Sequence, residues 1–384
     1  MERTFQRTND HEIDPFPASS QHSRTYYLAS KRHSREKRVK CMKVSVYYSR
    51  EDIRIEEKPI PDIGENEALI QTKVCGVCVA DTMEWYLKSK APLTLGHEPT
   101  GVVTRIGKQV KNLKEGDRVV VHHHVPCLIC RECRRGNFTM CTTFKKTNIY
   151  PGGFSEYFVV SPLHIERDVL LLPEHVSFEA GTLVEPLACV IHAIKKAKIS
   201  SEDSVILIGT GVMGLMFIQT LLFLGVRKLV VYELDEWRKE MAFSFGAQHV
   251  FSPFRDTEKE KERLGDLIRT NGADKVIIAA KDISAMQMGM QLVNKGGTLT
   301  FFATPHPSEA IDLYPSYLFF NEITLTSSYS ADHLDTRDAL EMISHGDIDA
   351  QRLITHSYPL EELGNAIEQT ANRGKSLKNI IVFK

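Results

Sequence analysis

The fold of this chain is decided by residues 205–233, which read VILIGTGVMGLMFIQTLLFLGVRKLVVYE. The uncharged run from Val205 to Ile208 is typical of a strand buried on both faces of a parallel sheet. A G-x-G-x-x-G turn follows, then a helical run from Leu215 to Leu224 and a second strand from Leu229 to Tyr232. Strand, glycine-rich turn, helix and strand in this order predict a dinucleotide-binding βαβ unit.

Each part of the glycine turn has a role in binding a pyrophosphate. Gly209 makes the tight turn, Gly211 lets the backbone approach the phosphates, and Gly214 lets helix and strand pack closely. Val212 and Met213 lie at the start of the helix, where free N–H groups and the helix dipole attract phosphate. We assign these five residues to the cofactor site.

An acidic residue at the end of the second strand bears on the choice of cofactor. Glu233 lies 19 residues past the last glycine, close to the spacing of about 20 that is typical of the acid that binds the adenosine ribose. Its charge repels the 2′-phosphate of NADP, which favours NAD. Arg238 is assigned to the same site and is the one feature that favours NADP.

The composition excludes several classes of protein. The 384 residues are 42% hydrophobic and 25% charged, with a net charge of −1, which favours neither nucleic acid nor a membrane surface as a partner. The N-terminus lacks the apolar segment of a signal peptide. Eight cysteines without an export signal favour reduced thiols or metal ligands over disulfides. We therefore expect a cytoplasmic protein that acts on small molecules.

The chain divides into an extension and two domains. Residues 1–41 are polar and include the basic run KRHSREKRVK, which predicts a disordered extension; a nucleic-acid arm or a targeting peptide is the alternative. Residues 42–195 show short alternating strands, among them Arg118 to His123, which predict a mostly β domain. Residues 196–330 alternate strand and helix, which predicts a parallel sheet. We expect residues 331–384 to complete the first domain, with a final strand from Asn379 to Phe383.

Four cysteines lie within 15 residues, in the pattern C-x2-C-x2-C-x7-C. Four thiolates fill the tetrahedral coordination of zinc and leave no open position, which predicts a structural zinc site. An iron–sulfur cluster also accepts four thiolates and is the alternative. The candidate ligands are Cys127, Cys130, Cys133 and Cys141.

A second set of candidate ligands is scattered along the chain. Cys78 lies in CGVCVAD, His97 and Glu98 lie in GHE, and Glu185 lies in VEPLA. Each alone has a simpler explanation, such as a core histidine or a glutamate in a salt bridge. Together, a thiol, an imidazole and carboxylates are the ligands of a catalytic zinc that keeps one position open for water or substrate.

These motifs, in this order, resemble those of the zinc-dependent medium-chain dehydrogenases, the superfamily of alcohol, sorbitol (L-iditol) and threonine dehydrogenases. The resemblance covers residues 42–384 and implies an α/β fold, with a GroES-like β-rich catalytic domain and a doubly wound Rossmann dinucleotide-binding domain. It implies Cys78 and His97 as zinc ligands, Glu98 and Glu185 as direct or exchangeable ligands, and Asp81 as an acid that orients a ligand. Glu185 replaces a cysteine of plain alcohol dehydrogenases, which places this chain nearer the polyol and threonine branch.

Two departures from the resemblance concern the alcohol proton. Ala80 stands where alcohol dehydrogenases begin a proton relay with a hydroxyl, and Met83 replaces the histidine that ends the relay in some relatives. The resemblance also places a substrate-pocket residue at His123. Strand alternation puts His123 on one face and His122 and His124 on the other, so we expect at most one face of this trio to reach the zinc. We predict that His123 moves the proton; the alternative is that it only shapes the pocket.

The combined expectation is an oxidoreductase with two zinc ions per chain, one catalytic and one structural. Zinc activates a secondary alcohol of a polyol or sugar-like compound, and NAD accepts the hydride. The alternatives are an L-threonine dehydrogenase, an alcohol dehydrogenase for a larger cyclic or acyl substrate, and a non-catalytic module that binds NAD and zinc. The resemblance also implies a homodimer or homotetramer.

Overall fold

Short strands dominate the first part of the computed structural model, which describes residues 40–254, 256–372 and 374–384. The extension predicted at residues 1–41 lies outside the described residues except for Lys40 and Cys41, and Cys41 already belongs to the first strand. The strands are β1 (Cys41–Ser49), β2 (Asp52–Pro59), β3 (Ala68–Val77), β4 (Glu98–Ile106), β5 (Arg118–Val121), β6 (Tyr157–Val160) and β7 (Val169–Leu171). The short helices among them are α1 (Glu84–Leu87), α2 (Arg131–Arg134), α3 (Thr142–Lys146) and α4 (Pro162–Arg167).

Strand β3 is central to the antiparallel sheet. It pairs with β4 and β6, while β4 pairs with β5 and β5 pairs with β7. Apolar side chains such as Ile70, Phe158 and Val160 fill the interior of this sheet. The strand predicted from Arg118 to His123 is two residues too long, because the partner strand β7 begins opposite Val121 and the ladder ends there.

A buried helix leads from the antiparallel sheet to the second part of the chain. The helices here are α5 (Phe178–Gly181) and α6 (Val184–Ala197). Side chains on most faces of α6 are buried, among them Leu187, Val190 and Ile194. The helix ends where Lys198 adopts a left-handed conformation with φ of 53°. Its position matters because Glu185 lies in its first turn.

Strands and helices then alternate, as the sequence predicts. The strands are β8 (Ser204–Ile208), β9 (Lys228–Tyr232), β10 (His249–Phe251), β11 (Ala273–Ile278), β12 (Val293–Phe301) and β13 (Thr324–Ser327). The helices are α7 (Val212–Phe223), α8 (Glu236–Ser244), α9 (Thr257–Ile268), α10 (Ile283–Leu292) and α11 (Pro315–Asn321).

This second sheet is parallel, with the strand order β10-β9-β8-β11-β12-β13. That is the order of a doubly wound dinucleotide-binding domain. Successive strands are added first on one side of β8 and then, from β11 onward, on its other side. All five residues of β8 are buried, as expected of a strand that helices cover on both sides. The reversal leaves a crevice at the carboxyl end of β8, which is where the glycine turn begins.

The last segment returns to the first sheet. It comprises α12 (Asp335–His345), α13 (Ala350–Leu353), β14 (Ile354–Pro359), α14 (Leu363–Asn372) and β15 (Lys378–Val382). Strand β15 pairs antiparallel with β3, and β14 pairs parallel with β15, so the prediction that a final strand rejoins the first domain is confirmed. Across the described residues, no helix combines the length and the apolar character that crossing a bilayer requires.

Candidate active site

The glycine turn has the geometry that a dinucleotide requires. Gly209 has φ of 98°, in the left-handed region that glycine adopts without strain. A Cβ on Gly214 would lie 2.1 Å from the Gly209 carbonyl oxygen, so α7 packs against the turn only because no side chain is present there. Gly211 is the N-cap of α7, and Val212 and Met213 form its first turn. The free N–H groups of this turn are therefore available to a pyrophosphate.

Glu233 and Arg238 both lie beside this turn. Oε2 of Glu233 accepts hydrogen bonds from the backbone N–H and the hydroxyl of Thr210, at 2.7 and 2.9 Å. Oε1 accepts from the backbone N–H groups of the next two residues, at 2.7 and 3.1 Å. Nη1 of Arg238 lies 3.3 Å from the position that a Cβ on Gly211 would take. An acid and a base thus both border the predicted nucleotide site.

Three of the predicted zinc ligands come together between β3 and β4. The ligand atoms of Cys78, His97 and Glu98 lie within 4.8 Å of one another. Cys78 caps a short 3-10 turn after β3, where its Sγ accepts a hydrogen bond from the Ala80 N–H at 3.5 Å. Its own N–H donates to Oδ2 of the buried Asp81 at 2.9 Å, and Oδ1 of Asp81 lies 3.7 Å from Nδ1 of His97. One carboxylate therefore orients both the thiol turn and the imidazole.

Burial and mutual charge perturb these groups. Burial opposes a charge on His97, but the neighbouring Cys78 and Asp81 outweigh it and raise the pKa of His97 well above its ordinary value. Burial also raises the pKa of the Cys78 thiol, and His97 acts against that rise. A divalent cation favours a thiolate and a neutral imidazole instead. Binding of a metal ion to this group would therefore displace protons from the thiol and the imidazole.

Sequence reasoning missed the partner of Glu98. The ammonium group of Lys378, the first residue of β15, forms an ion pair with Oε2 of Glu98, and the two side chains are 3% and 0% exposed. A Cβ on Gly76 would lie 1.9 Å from Oε2 of Glu98 and 2.8 Å from Cε of Lys378. Only glycine at that position of β3 leaves room for the pair. Among the described residues, Oε1 of Glu98 is buried without a hydrogen-bond partner, which leaves it free for a cation.

Glu185 belongs to a second, adjoining group. Its carboxylate lies within 4.8 Å of the ring nitrogens of His122 and His123. The two groups meet where the rings of His97 and His123 lie 5.0 Å apart, centre to centre. Sγ of Cys189, one turn further along α6, donates to Oε1 of Glu185 at 3.5 Å. The four predicted ligands thus fall in two neighbouring groups rather than in one.

Both His122 and His123 reach this second group, so the prediction that only one face of the histidine trio faces the site is wrong. Period-two alternation does not apply to them, because β5 ends at Val121. The Nδ1 atom of the buried His122 lies 3.1 Å from Oδ2 of Asp168, whose Oδ1 accepts a hydrogen bond from the Thr336 hydroxyl at 2.6 Å. Burial opposes a charge on His122, but Asp168 outweighs it and raises the pKa. This buried chain of polar groups had no signal in the sequence.

His123 has a different environment from its neighbour. Burial, reinforced by His124 and His122, holds the pKa of His123 well below its ordinary value. Its Nδ1 is buried, and no hydrogen-bond partner for it exists in the described part of the chain. His124 hydrogen-bonds through Nδ1 to the Thr147 carbonyl, and burial lowers the pKa of His124 to about 3. Both His123 and His124 are therefore neutral at ordinary pH.

A cleft of about 900 Å³ opens beside the turn that carries Cys78. Met83 and Trp85 line it on the side of the antiparallel sheet, and Lys281, Thr304 and His306 line it on the side of the parallel sheet. The Trp85 and His306 rings meet edge to face at 5.7 Å. The cleft lies at the carboxyl ends of β11 and β12, the edge at which ligands bind in doubly wound sheets.

The four-cysteine loop forms a cluster of its own. The four Sγ atoms lie within 4.8 Å of one another, and none of these cysteines is in a disulfide. Neighbouring Sγ atoms are 3.5 Å apart for Cys130 and Cys133, 3.6 Å for Cys141 and Cys127, and 3.9 Å for Cys127 and Cys133. Four sulfurs at about 2.3 Å from a tetrahedral zinc lie about 3.8 Å apart. The loop therefore has the geometry of a closed zinc site.

Two family models match the chain. The Alcohol dehydrogenase GroES-like domain matches residues 64–173, and Zinc-binding dehydrogenase matches residues 212–345. Together they span well over half of the chain, and they confirm the predicted combination of a GroES-like domain and a Rossmann domain.

Individual proteins agree with the family models. The chain is 28% identical over 352 residues to sorbitol dehydrogenase from Bacillus subtilis, which covers 89% of this chain and 97% of that protein. It is 27% identical over 342 residues to D-xylulose reductase A from Aspergillus niger, with 86% of this chain and 93% of that protein covered. The crystal structure of galactitol-1-phosphate dehydrogenase from Escherichia coli has the same fold, with a TM-score of 0.78, 24% identity, and coverage of 89% of this chain and 100% of that chain.

Proposed function

The chain belongs to the zinc-dependent medium-chain dehydrogenase superfamily, and on that premise we propose that it oxidises a secondary alcohol of a polyol or sugar-like compound with NAD as hydride acceptor. The observation that carries the proposal is the pair of adjoining donor groups, with Cys78, His97 and Glu98 in one and Glu185 in the other. These donors fit a zinc ion that keeps one position open for an alcohol. The names of the two curated relatives support a polyol as the substrate.

The residues of the chain bind and orient the reacting groups. A bound zinc supplies Lewis-acid activation of the alcohol, and a bound nicotinamide supplies the hydride acceptor. Asp81 holds the Cys78 turn and the His97 ring in position. Lys378 favours the ionised form of Glu98 against the effect of burial. The first turn of α7 at Gly211 binds the pyrophosphate, and this places the nicotinamide end of the cofactor in the cleft.

NAD is the preferred cofactor in this proposal. The Glu233 carboxylate borders the nucleotide site, where its charge repels a 2′-phosphate. Because its oxygens bond to the backbone of the turn and to Thr210, the charge is held in place. Arg238 is the group that would meet the phosphate of NADP when the acid is removed.

His123 is the group that receives the alcohol proton. Ala80 and Met83 carry no exchangeable proton, whereas His123 lies beside both His97 and Glu185. Within the described residues its buried Nδ1 has no hydrogen-bond partner, so this nitrogen is available to accept a proton.

The cellular setting is also part of the proposal. None of the eight cysteines, all of which lie in the described residues, forms a disulfide, which supports a reducing compartment such as the cytoplasm. Strand β13 lies at the edge of the parallel sheet, and helix α11 precedes it. No residue of α11 is buried, and its Phe319 and Phe320 side chains are 77% and 79% exposed. A second copy of the chain that covers this apolar edge makes a homo-oligomer.

A substrate screen tests the proposal. NAD reduction is measured with added zinc across polyols, inositols, L-threonine and simple secondary alcohols. We expect turnover with a polyol, loss of it in Cys78→Ser or after chelation, and retention of it in Cys41→Ser, which removes an exposed thiol at the start of β1. Turnover of L-threonine alone, or of no alcohol at all, would overturn the proposed substrate class or the proposed activity, respectively.

A further inference from the structure

His122 has a ring nitrogen that is free to bind a ligand. Its Nδ1 atom lies 3.1 Å from Oδ2 of Asp168, so Nε2 is the nitrogen that remains. The side chain is 1% exposed, and Nε2 is buried with no hydrogen-bond partner in the described part of the chain. A buried nitrogen that has lost its bond to water and gained no other is destabilising. A bound ligand would remove that cost.

The Nδ1 side of this ring is held as it is in histidines that bind metal ions. The backbone N–H of His122 donates to the Asp168 carbonyl at 3.2 Å, and Oδ1 of Asp168 accepts from the Thr336 hydroxyl at 2.6 Å. A carboxylate that fixes one ring nitrogen while the other binds the ion is the usual arrangement of such histidines. Burial opposes a charge on His122, but Asp168 and then Glu185 outweigh it and raise the pKa. The surroundings of the ring therefore favour a cation.

Two further donors complete a set of three. The ligand atoms of His122, His123 and Glu185 lie within 4.8 Å of one another, and Glu185 is only 7% exposed. Nδ1 of His123 is likewise buried, without a hydrogen-bond partner among the described residues. Two imidazoles and one carboxylate are the three protein ligands of one class of zinc site and of the iron(II) facial triad.

A third histidine–carboxylate group, between α6 and α12, already has a cation. Nδ1 of His192 lies 2.7 Å from Oδ2 of Asp335, and the Lys195 ammonium group lies 2.7 Å from Oδ1 of the same carboxylate. Glu185 instead accepts a hydrogen bond from the Cys189 thiol at 3.5 Å and faces two imidazoles, none of which carries a permanent charge. Of these two groups, the one that contains Glu185 is therefore better suited to bind a cation from solution.

We propose that His122, His123 and Glu185 bind a second divalent cation, distinct from the catalytic zinc, and that its binding inhibits the enzyme. The donors between β3 and β4 already number three, as many protein ligands as a catalytic zinc requires, so Glu185 can bind the second ion without release of the first. With an ion on His123, the alcohol proton loses its acceptor. The inhibition rests on the proposed function, whereas the site itself does not.

Equilibrium dialysis of the full chain against rising zinc, followed by metal analysis, tests the site. At saturation we expect one more zinc ion per chain in the wild type than in His122→Asn. The asparagine amide can still donate to Asp168, but Nε2 is gone. NAD reduction measured at the same zinc concentrations should fall in the wild type with the midpoint at which the additional ion binds, and should show no such fall in His122→Asn.

A pair of matched variants shows whether Asp168 orients a ligand. Asp168→Asn should weaken binding of the additional ion by about ten- to a hundredfold, the usual effect of losing a partner of a ligating histidine. Asp335→Asn is the control, because it alters the other buried histidine–aspartate pair, next to Thr336. Its affinity for the additional ion should equal that of the wild type.

The outcomes separate this inference from the proposed function. The same zinc content in the wild type and His122→Asn at every concentration would overturn the site, as would equal weakening in the two aspartate variants. Binding of the additional ion with no fall in turnover would overturn the inhibition. If no alcohol reduces NAD at any zinc concentration, the proposed function fails, and dialysis still decides whether the site exists because it needs no turnover.

Discussion

Replacement of Lys378 by methionine tests whether this lysine stabilises the buried carboxylate of Glu98. We expect Lys378→Met to lower the free energy of unfolding by about 3–5 kcal/mol, because removal of one partner leaves the other charge buried and uncompensated. The two side chains are 3% and 0% exposed. Within the described residues, Oε1 of Glu98 has no hydrogen bond that could offset the loss.

The loss should grow as the pH rises. Burial raises the pKa of Glu98, and Lys378 and His97 act against that rise. Without the lysine the folded-state pKa rises further above the unfolded value of about 4.3. The native state then keeps a proton that the unfolded state releases, so stability falls as the pH rises from the unfolded pKa to the folded pKa.

Urea denaturation followed by tryptophan fluorescence, with zinc present throughout, measures these effects. The matched control is Lys43→Met, which breaks an ion pair with Glu361 whose side chains are 49% and 50% exposed; it should change stability little, because water replaces the lost partner. The double variant Lys378→Met with Glu98→Gln should recover most of the loss. Equal losses in Lys378→Met and Lys43→Met, or no recovery in the double variant, would refute the reasoning.

Three further predictions concern the metal loop, the cofactor and the proton. Cys130→Ser should reduce zinc content from two ions per chain to one and lower the thermal midpoint, as metal analysis and calorimetry would show; unchanged zinc in a variant without all four loop cysteines would contradict the structural site. Glu233→Ser should narrow the preference for NAD over NADP in steady-state kinetics, and equal use of both cofactors by the unmodified protein would count against the role of the acid. His123→Gln should lower kcat by at least about a hundredfold and alter its pH profile, whereas near-normal turnover across the neutral range would make His123 a specificity residue.

The spacing of residues in the sequence was enough to predict the sites whose residues lie close together in the chain. The G-x-G-x-x-G turn spans Gly209 to Gly214, and the cysteine loop spans 15 residues, so a short backbone holds each group together whatever the rest of the chain does. Periodicity located the strands and helices on both sides of the turn for the same reason. The scattered donors were different. Their residue types suggested zinc, and the resemblance to known motifs selected Cys78, His97, Glu98 and Glu185.

Only the tertiary structure decided which further groups share the buried site. Glu98 meets Lys378 because β15 returns to pair with β3, and His122 meets Asp168 across 46 residues. The end of β5 at Val121, set by where its partner strand begins, overturned the alternation expected for the histidines. Periodicity indicates that one face of a strand is covered but not which side chains cover it. A lysine therefore looks the same in the sequence whether it lies in water or against a carboxylate, and the difference arises only when distant strands pack and exclude water from both charges.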